Sequence, residues 1–294
     1  MVKNSRMSSR IADFVLYTGM FLVMVATLYP FWSQVVVSLQ AGASTYSTGM
    51  MLFPKRITFE AYGLALHYKP LWIGYGNTIL RTLMGVSLTL IITSMTAYPL
   101  SKKDLPFNRA FTGYMLLTML FTGGLIPNYL LIRSLGMLDT IWSLVIPGML
   151  SAFNVLIMRN FFKSVPESLE ESATVDGAGH IRIFTSIILP LSMPVLATIA
   201  LWVGVGHWNA WFDSLIYIND PRNQVLQVVL RKIIIENDTS NMAAMIQKMN
   251  THAEYTSRQL QSTVIMLSVI PMLIVYPFVQ KYFVQGVMIG AIKG

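Results

Sequence analysis

Four carboxylates, Glu167, Glu170, Glu171 and Asp176, crowd one short stretch of a chain with only 13 acidic residues in 294. Carboxylates so close could serve acid–base catalysis or bind a cation. The rest of the sequence supplies no partners for either chemistry. No paired carboxylates and no Ser/His/Asp set stand out on the apolar segments, so no catalytic residue is assigned. The histidines, His67, His180, His207 and His252, show no metal-ligand spacing, and no metal site is expected. Cysteine is absent, which excludes disulfides, thiolate metal sites and cysteine nucleophiles. Nor is there a phosphate-binding loop, because the run from Gly290 to Lys293 lacks the G-x-x-x-x-G-K-[ST] spacing. The acidic stretch fits a structural role better. Ser164-Val-Pro166-Glu167 has the form of a capping box with proline in the first turn. Glu170 and Glu171 then suit the positive end of a helix dipole. Leu169, Ala173 and Asp176 share one side, and Gly177 and Gly179 end the helix or bend it sharply. A second short piece, His180 to Phe184, follows. The expectation is a helix–turn–helix bracket, small-faced at Ser172, Ala173 and Ala178, that another protein's surface can approach.

The elements around the bracket are apolar. The chain is 54% hydrophobic and 12% charged, with mean hydropathy +0.57, where a soluble domain carries roughly a quarter charged residues. Its apolar runs approach 20 residues, enough at about 1.5 Å each to cross a bilayer core of roughly 30 Å. The net charge of +8 reads as basic loops beside anionic lipid rather than as a nucleic-acid surface.

Six helical spans are expected, near residues 11–39, 77–100, 110–132, 141–159, 183–211 and 263–283. The third is broken near Gly123-Gly124 and Pro127, and the fifth carries Pro190 and Pro194. Residues 1–10 lie in the cytoplasm, 11–283 form the membrane domain, and 284–294 return as a cytoplasmic tail. The bracket, residues 164–182, is cytoplasmic, and a polar loop at 213–261 is extracytoplasmic. Prolines inside spans need packed neighbours or a cavity to satisfy the freed backbone groups, as in a bundle lining a path. Polar groups on the spans are candidates to line it: Asn77, Arg81, Asn128, Asn154, Trp208, Asn209, Trp211 and Asp213. Indole faces stack on sugar rings and amides bond hydroxyls. The competing reading makes the tryptophans interface anchors. Arg81 either attracts an anionic solute or snorkels to the surface.

Glu171-Ser172-Ala173, Gly177 after three intervening residues, and Ile187-Ile188-Leu189-Pro190 resemble the EAA loop of ABC-importer permeases. Asp176-Gly177-Ala178 and Pro194 resemble its carbohydrate branch, with Ser172 where the motif has alanine. The tail from Gly286 to Gly294 resembles that of the shorter maltose-type permease subunit, which reaches into the ATPase dimer. Phe121-Thr-Gly-Gly-Leu-Ile-Pro-Asn-Tyr129 and Leu135-Gly-Met-Leu-Asp139-Thr140 resemble permeases for oligosaccharides from complex polysaccharides, alginate importers nearest. The resemblance implies an all-α integral membrane protein with six transmembrane helices and the type I (MetI-like) permease fold, in a bacterial cytoplasmic (inner) membrane. It is not an enzyme. Its partners are a second homologous permease, an ABC ATPase dimer that binds ATP and Mg, an extracytoplasmic solute-binding protein, and an oligosaccharide that could be acidic. Residues implied in ATPase coupling are Glu170, Glu171, Ser172, Ala173, Asp176, Gly177, Ala178, Gly290 and Lys293. Two alternatives compete: an ion-coupled secondary transporter, and an ABC permease for another solute class. The first needs an ionisable site at mid-membrane and usually an internal repeat; neither is visible.

Overall fold

The structure is a computed structural model that describes residues 5–42, 49–235 and 256–291, with side chains described for 12–42, 49–235 and 256–277. Among the described residues the fold is helical, and pairing is limited to an isolated bridge between Gln40 and Ile57. The helices are α1 (Ser5–Leu39), α2 (Glu60–His67), α3 (Lys69–Ser101), α4 (Asn108–Leu120), α5 (Leu125–Ser134), α6 (Trp142–Val145) and α7 (Ala152–Phe162). They continue as α8 (Glu167–Val175), α9 (His180–Ile183), α10 (Leu189–Leu191), α11 (Met193–Asn209), α12 (Phe212–Tyr217), α13 (Leu226–Ile234) and α14 (Ser257–Ala291).

Three stretches are single helices long and apolar enough to cross a membrane: Ala12–Leu39, Lys69–Ser101 and Ser257–Pro277. Three bent pairs pass the same test together and bring the number to six. The pairs are α4 with α5, bent by 111°, Trp142–Gly148 with α7, bent by 52°, and His180–Leu191 with α11, bent by 75°. The first break sits where expected, with Gly124 at φ +84 at the start of α5. It is sharper than a kink: α4, with 13 residues, is about 20 Å long and falls short of a bilayer core by itself. In the third pair Pro190 has no N–H to give Ser186. The preceding turn widens into a π-helix over Phe184–Ile188, where Leu189 N–H reaches the Phe184 carbonyl.

Boundaries shift from the sequence reading, as at the first helix, which begins at Ser5 rather than residue 11. The second span begins at Lys69 rather than near Asn77, because proline is favoured in a first helical turn. The last helix runs from Ser257 to Ala291, so Gly290 is helical, while Lys293 lies outside the described residues.

The chain folds as two units. One comprises residues 1–68 and 232–271, the other 69–231 and 272–294. In the first, the polar end of α1 meets the start of α14. Gln259 Nε2 donates to the Ser38 carbonyl at 3.3 Å, and Ser262 Oγ bonds Gln34 Oε1 at 2.7 Å. Ala61 and Ala65 of α2 are buried. The exposed face of α1, from Phe14 to Trp32, is apolar, as a lipid-facing helix requires. In the second unit α3 packs along α11 and α7. Lipid tails are as apolar as leucine, so this packing depends on close approach through small residues. A Cβ on Gly74 would lie 3.0 Å from Leu226 Cα, and one on Gly85 would lie 2.3 Å from His207 Nε2.

Candidate functional site

The bracket forms, though not through the expected cap. Pro166 is the N-cap residue of α8 and no side chain caps the helix. Ser164 Oγ instead donates back to the Phe161 carbonyl at 2.7 Å, so the capping box is not made. The other end obeys the sequence. Gly177 takes φ +81, its N–H reaches the Thr174 carbonyl at 3.0 Å, and Ala178 N–H reaches the Ala173 carbonyl at 2.9 Å. These two bonds make a Schellman turn, which needs the left-handed conformation that glycine adopts freely. Nothing lies within 4 Å of a Cβ built on Gly177, so its requirement within this chain is backbone conformation and not space.

One side of α8 is fastened to the end of α3. Lys102 Nζ pairs with both oxygens of Glu170, and Tyr98 Oη donates to Glu170 Oε2 at 3.1 Å. The Lys102 ammonium also lies 4.6 Å from the centre of the Tyr98 ring. That ring packs 5.0 Å from Phe184 and 6.3 Å from Phe162. Arg159 of α7 caps the same helix end, with Nε donating to the Leu100 carbonyl at 2.8 Å. A looser pair joins Lys103 Nζ to Glu167 Oε1 at 2.8 Å, with side chains 81% and 69% exposed. Each partner favours the other's charged form, which lowers the Glu167 carboxyl and raises the Lys103 ammonium.

The expected small face splits in two. Ala173 and Ala178 turn inward and pack against the core around Phe162 and Ile183. Ser172 stays outside, where its Oγ donates to the Ser168 carbonyl at 2.8 Å. The outward surface therefore carries Glu171, Ser172 and Asp176 together with Leu169 and two apolar groups that sequence reasoning passed over, Val175 and Ile181; the three are 42%, 88% and 81% exposed. Ile181 borders an open hollow with Gly179, His180, Arg182 and Thr185. Of the residues implied in coupling, Glu170, Ala173 and Ala178 face the chain's own interior, and Glu171, Ser172, Asp176 and Gly177 face away from it.

Around the N-terminal half of α3 the polar candidates come together, mostly with one another. Arg81 is 2% exposed, so it does not snorkel. Its Nη2 pairs with Asp213 Oδ2, Nε donates to His207 Nδ1 at 3.2 Å, and Nη1 donates to the Ala210 carbonyl at 3.2 Å. A weaker bond at 3.4 Å reaches the Leu144 carbonyl. One guanidinium fork thus fastens α6, α11 and α12 to α3. With Nδ1 accepting, His207 carries its proton on Nε2. Asn77 Nδ2 donates to the Arg222 and Gln224 carbonyls at 2.8 and 2.9 Å. Trp208 is buried, its ring 6.3 Å from that of Tyr75. Trp211 lies against the Arg231 guanidinium at 4.7 Å.

The remaining candidates stand apart. Asn154 Oδ1 accepts from Trp202 Nε1 at 3.0 Å, Asn209 bonds its own helix at Val205, and Asn128 is exposed on α5. Asp139, which the sequence offered only as a motif letter, completes this region. It sits at φ +59, and its carboxylate accepts from the backbone N–H groups of Asn219 and Asp220 at 2.5 and 2.8 Å. Those donors hold its carboxyl below the usual carboxylate range. Among the described residues no three or more His, Cys, Asp or Glu side chains are placed to hold a metal.

The described residues make a helical protein with membrane-spanning segments and an exposed bracket between two bent pairs. Residues 71–289 match the family of binding-protein-dependent transport system inner membrane components, and the chain belongs to that family. The polygalacturonan/rhamnogalacturonan transport system permease protein YtcP of Bacillus subtilis is 34% identical over 98% of this chain and 100% of its own length. Protein LplC of the same organism is 38% identical over 91% of this chain and 90% of its own. Among solved structures, a chain of a bacterial ABC transporter involved in import of the acidic polysaccharide alginate superposes with TM-score 0.88 and 36% identity, covering 94% of this chain and 98% of that one. The protein is accordingly an inner-membrane ABC-importer permease of the six-span, all-α type I fold.

Proposed function

We propose that this chain is one of two homologous permeases that pass an acidic oligosaccharide through the membrane, driven by a separate ATPase dimer gripping the α8 bracket. The observation that carries the reading is the two-sidedness of the bracket formed by α8, the Gly177 turn and α9. Its inner side is anchored through Glu170, Ala173 and Ala178. Its outer side leaves Val175 and Ile181 exposed beside Glu171 and Asp176. Apolar anchors inside a polar rim suit protein docking. ATP and Mg are bound by the ATPase, and the tail with Gly290 and Lys293 makes a second contact with it. A binding protein delivers the sugar at the Arg81 end. Two similar proteins support an acidic sugar, one named for polygalacturonan and one for alginate import.

Arg81 is neutralised by Asp213, so the acid group is recognised elsewhere. Asn128 and Trp211 keep exposed surface for the sugar. The test is reconstitution with the partner permease, the ATPase and the binding protein in proteoliposomes. Uronate oligosaccharides are expected to stimulate ATP hydrolysis and to enter, and neutral oligosaccharides are not. Ile181→Glu is expected to release the ATPase from the purified complex. Uptake by this chain alone on an ion gradient would falsify the reading in favour of a secondary transporter.

A further inference from the structure

Within residues 69–231, α3 is the one unbroken span. The α4–α5, α6–α7 and α9–α11 segments bend by 111°, 52° and 75° at their breaks. A broken helix absorbs a displacement at its break, where backbone hydrogen bonds are already missing. A continuous helix passes it on. The internal proline of α3, Pro99, falls in the last turn and leaves the shaft intact. Two charge clamps grip α3, one at its C-terminal end and one in its N-terminal half. At the C-terminal end Lys102 and Tyr98 hold Glu170 of the bracket, and Arg159 holds the Leu100 carbonyl. In the N-terminal half Arg81 holds Asp213, His207 and the Ala210 carbonyl. Lys102 follows Arg81 by 21 positions, about 32 Å of helix, close to the thickness of a bilayer core.

We propose that α3 is the tie-rod of the permease, carrying movement of the bracket to the far rim through the Lys102–Glu170 clamp and the Arg81–Asp213–His207 clamp. The direct route along the chain, from α8 through α9 and α10 into α11, crosses a π-turn and a 75° bend and is the softer path. Lys102, Tyr98 and Arg81 act here as positioning residues. The inference rests on the bracket docking the ATPase, and the test separates the two.

The assembled importer, with partner permease, ATPase dimer and sugar-loaded binding protein, is placed in nanodiscs. ATP hydrolysis is read with and without binding protein. Lys102→Met is expected to co-purify with the ATPase and keep its basal rate, while binding-protein stimulation falls at least about fivefold, the low end for coupling between sites. Lys103→Met, one residue away, is expected to behave as wild type. The exchange Lys102→Glu with Glu170→Lys is expected to regain most of the stimulation. Softening the shaft by Ser87→Gly with Leu88→Gly, which leaves both clamps in place, is expected to give the same loss as Lys102→Met. Full stimulation in Lys102→Met, or no gain on the charge exchange, overturns the proposal. So does a glycine pair that couples normally, which would reduce Lys102 to a local fastening. Loss of the ATPase from Lys102→Met would also overturn it, by making Lys102 part of the docking contact. Ile181→Glu reports on docking separately, through co-purification.

Discussion

The two clamped regions of α3 solve opposite problems. At the Arg81 end the polar groups spend their bonding capacity on one another: the guanidinium on three segments, Asn77 on two carbonyls, Asp139 on two backbone N–H groups. Groups clamped in this way are held rigid and have little left to offer a partner. At the Lys102 end only the inner side of the bracket is tied, and the outer side keeps apolar groups in water. Exposing Val175 and Ile181 costs the isolated chain free energy that a docked surface would recover. A polar residue in a permease span therefore marks a solute path less reliably than it marks a joint. The exposed apolar group beside charges is the better sign of a partner.

The sharpest way to break this contrast is to remove the hub of the satisfied end. Arg81→Met leaves Asp213 facing a carbonyl-lined site without its cation. The expected loss is about 3 kcal/mol, the lower part of the range for splitting a buried pair, because the Asp213 side chain keeps 29% exposure. Thermal unfolding of the detergent-solubilised complex reads this. Arg81→Met with Asp213→Asn is expected to recover part of the loss, since no unpaired charge remains. Equal destabilisation in single and double variants would show that Arg81 matters by packing and not by charge.

Gly177 sharpens the comparison from the other side. Its φ of +81 taxes any L-residue by about 1 kcal/mol, and open space around it makes size irrelevant within the chain. Gly177→Ala and Gly177→Leu are therefore expected to unfold at similar temperatures. If the bracket docks as proposed, Leu is expected to lower stimulated ATP hydrolysis further than Ala, the difference being the partner surface it meets. Equal activity in the two variants would place Gly177 outside the docked face.

Legibility in the sequence followed the range of the forces. The spans were readable because a bilayer forces every backbone polar group into local bonds, so apolar runs become helices. The breaks at Gly123-Gly124 and Pro190 were readable because they act on their own turn. So was Gly177, whose constraint is one dihedral angle. Ser164 misled: with Pro166 fixing the helix start, its hydroxyl found the Phe161 carbonyl behind it, a competition local to serine. Lys102 and Lys103 are adjacent and alike in sequence, yet one is half-sheltered against Glu170 and Tyr98 and the other is exposed. Arg81 was readable as a cation in a span but not as a joint. Its carboxylate lies 132 residues away, beyond any local pattern.

The smallest expected effect concerns Asp139, partly exposed at the edge of the satisfied region. Its folded pKa is lowered from the ordinary 3.8 by the Asp220 and Asn219 N–H groups. Its contribution is therefore fully present above that ordinary value and is lost as pH falls through the lower, folded one. Asp139→Asn tests the charge alone, because asparagine also tolerates the left-handed conformation at φ +59 and keeps one acceptor oxygen. At neutral pH the variant is expected to be slightly less stable than wild type, by less than either change above. The gap should close as pH is lowered below 3.8, since protonation makes the wild type resemble the variant. A gap that stays constant with pH would show that the turn is held by acceptor geometry and not by charge.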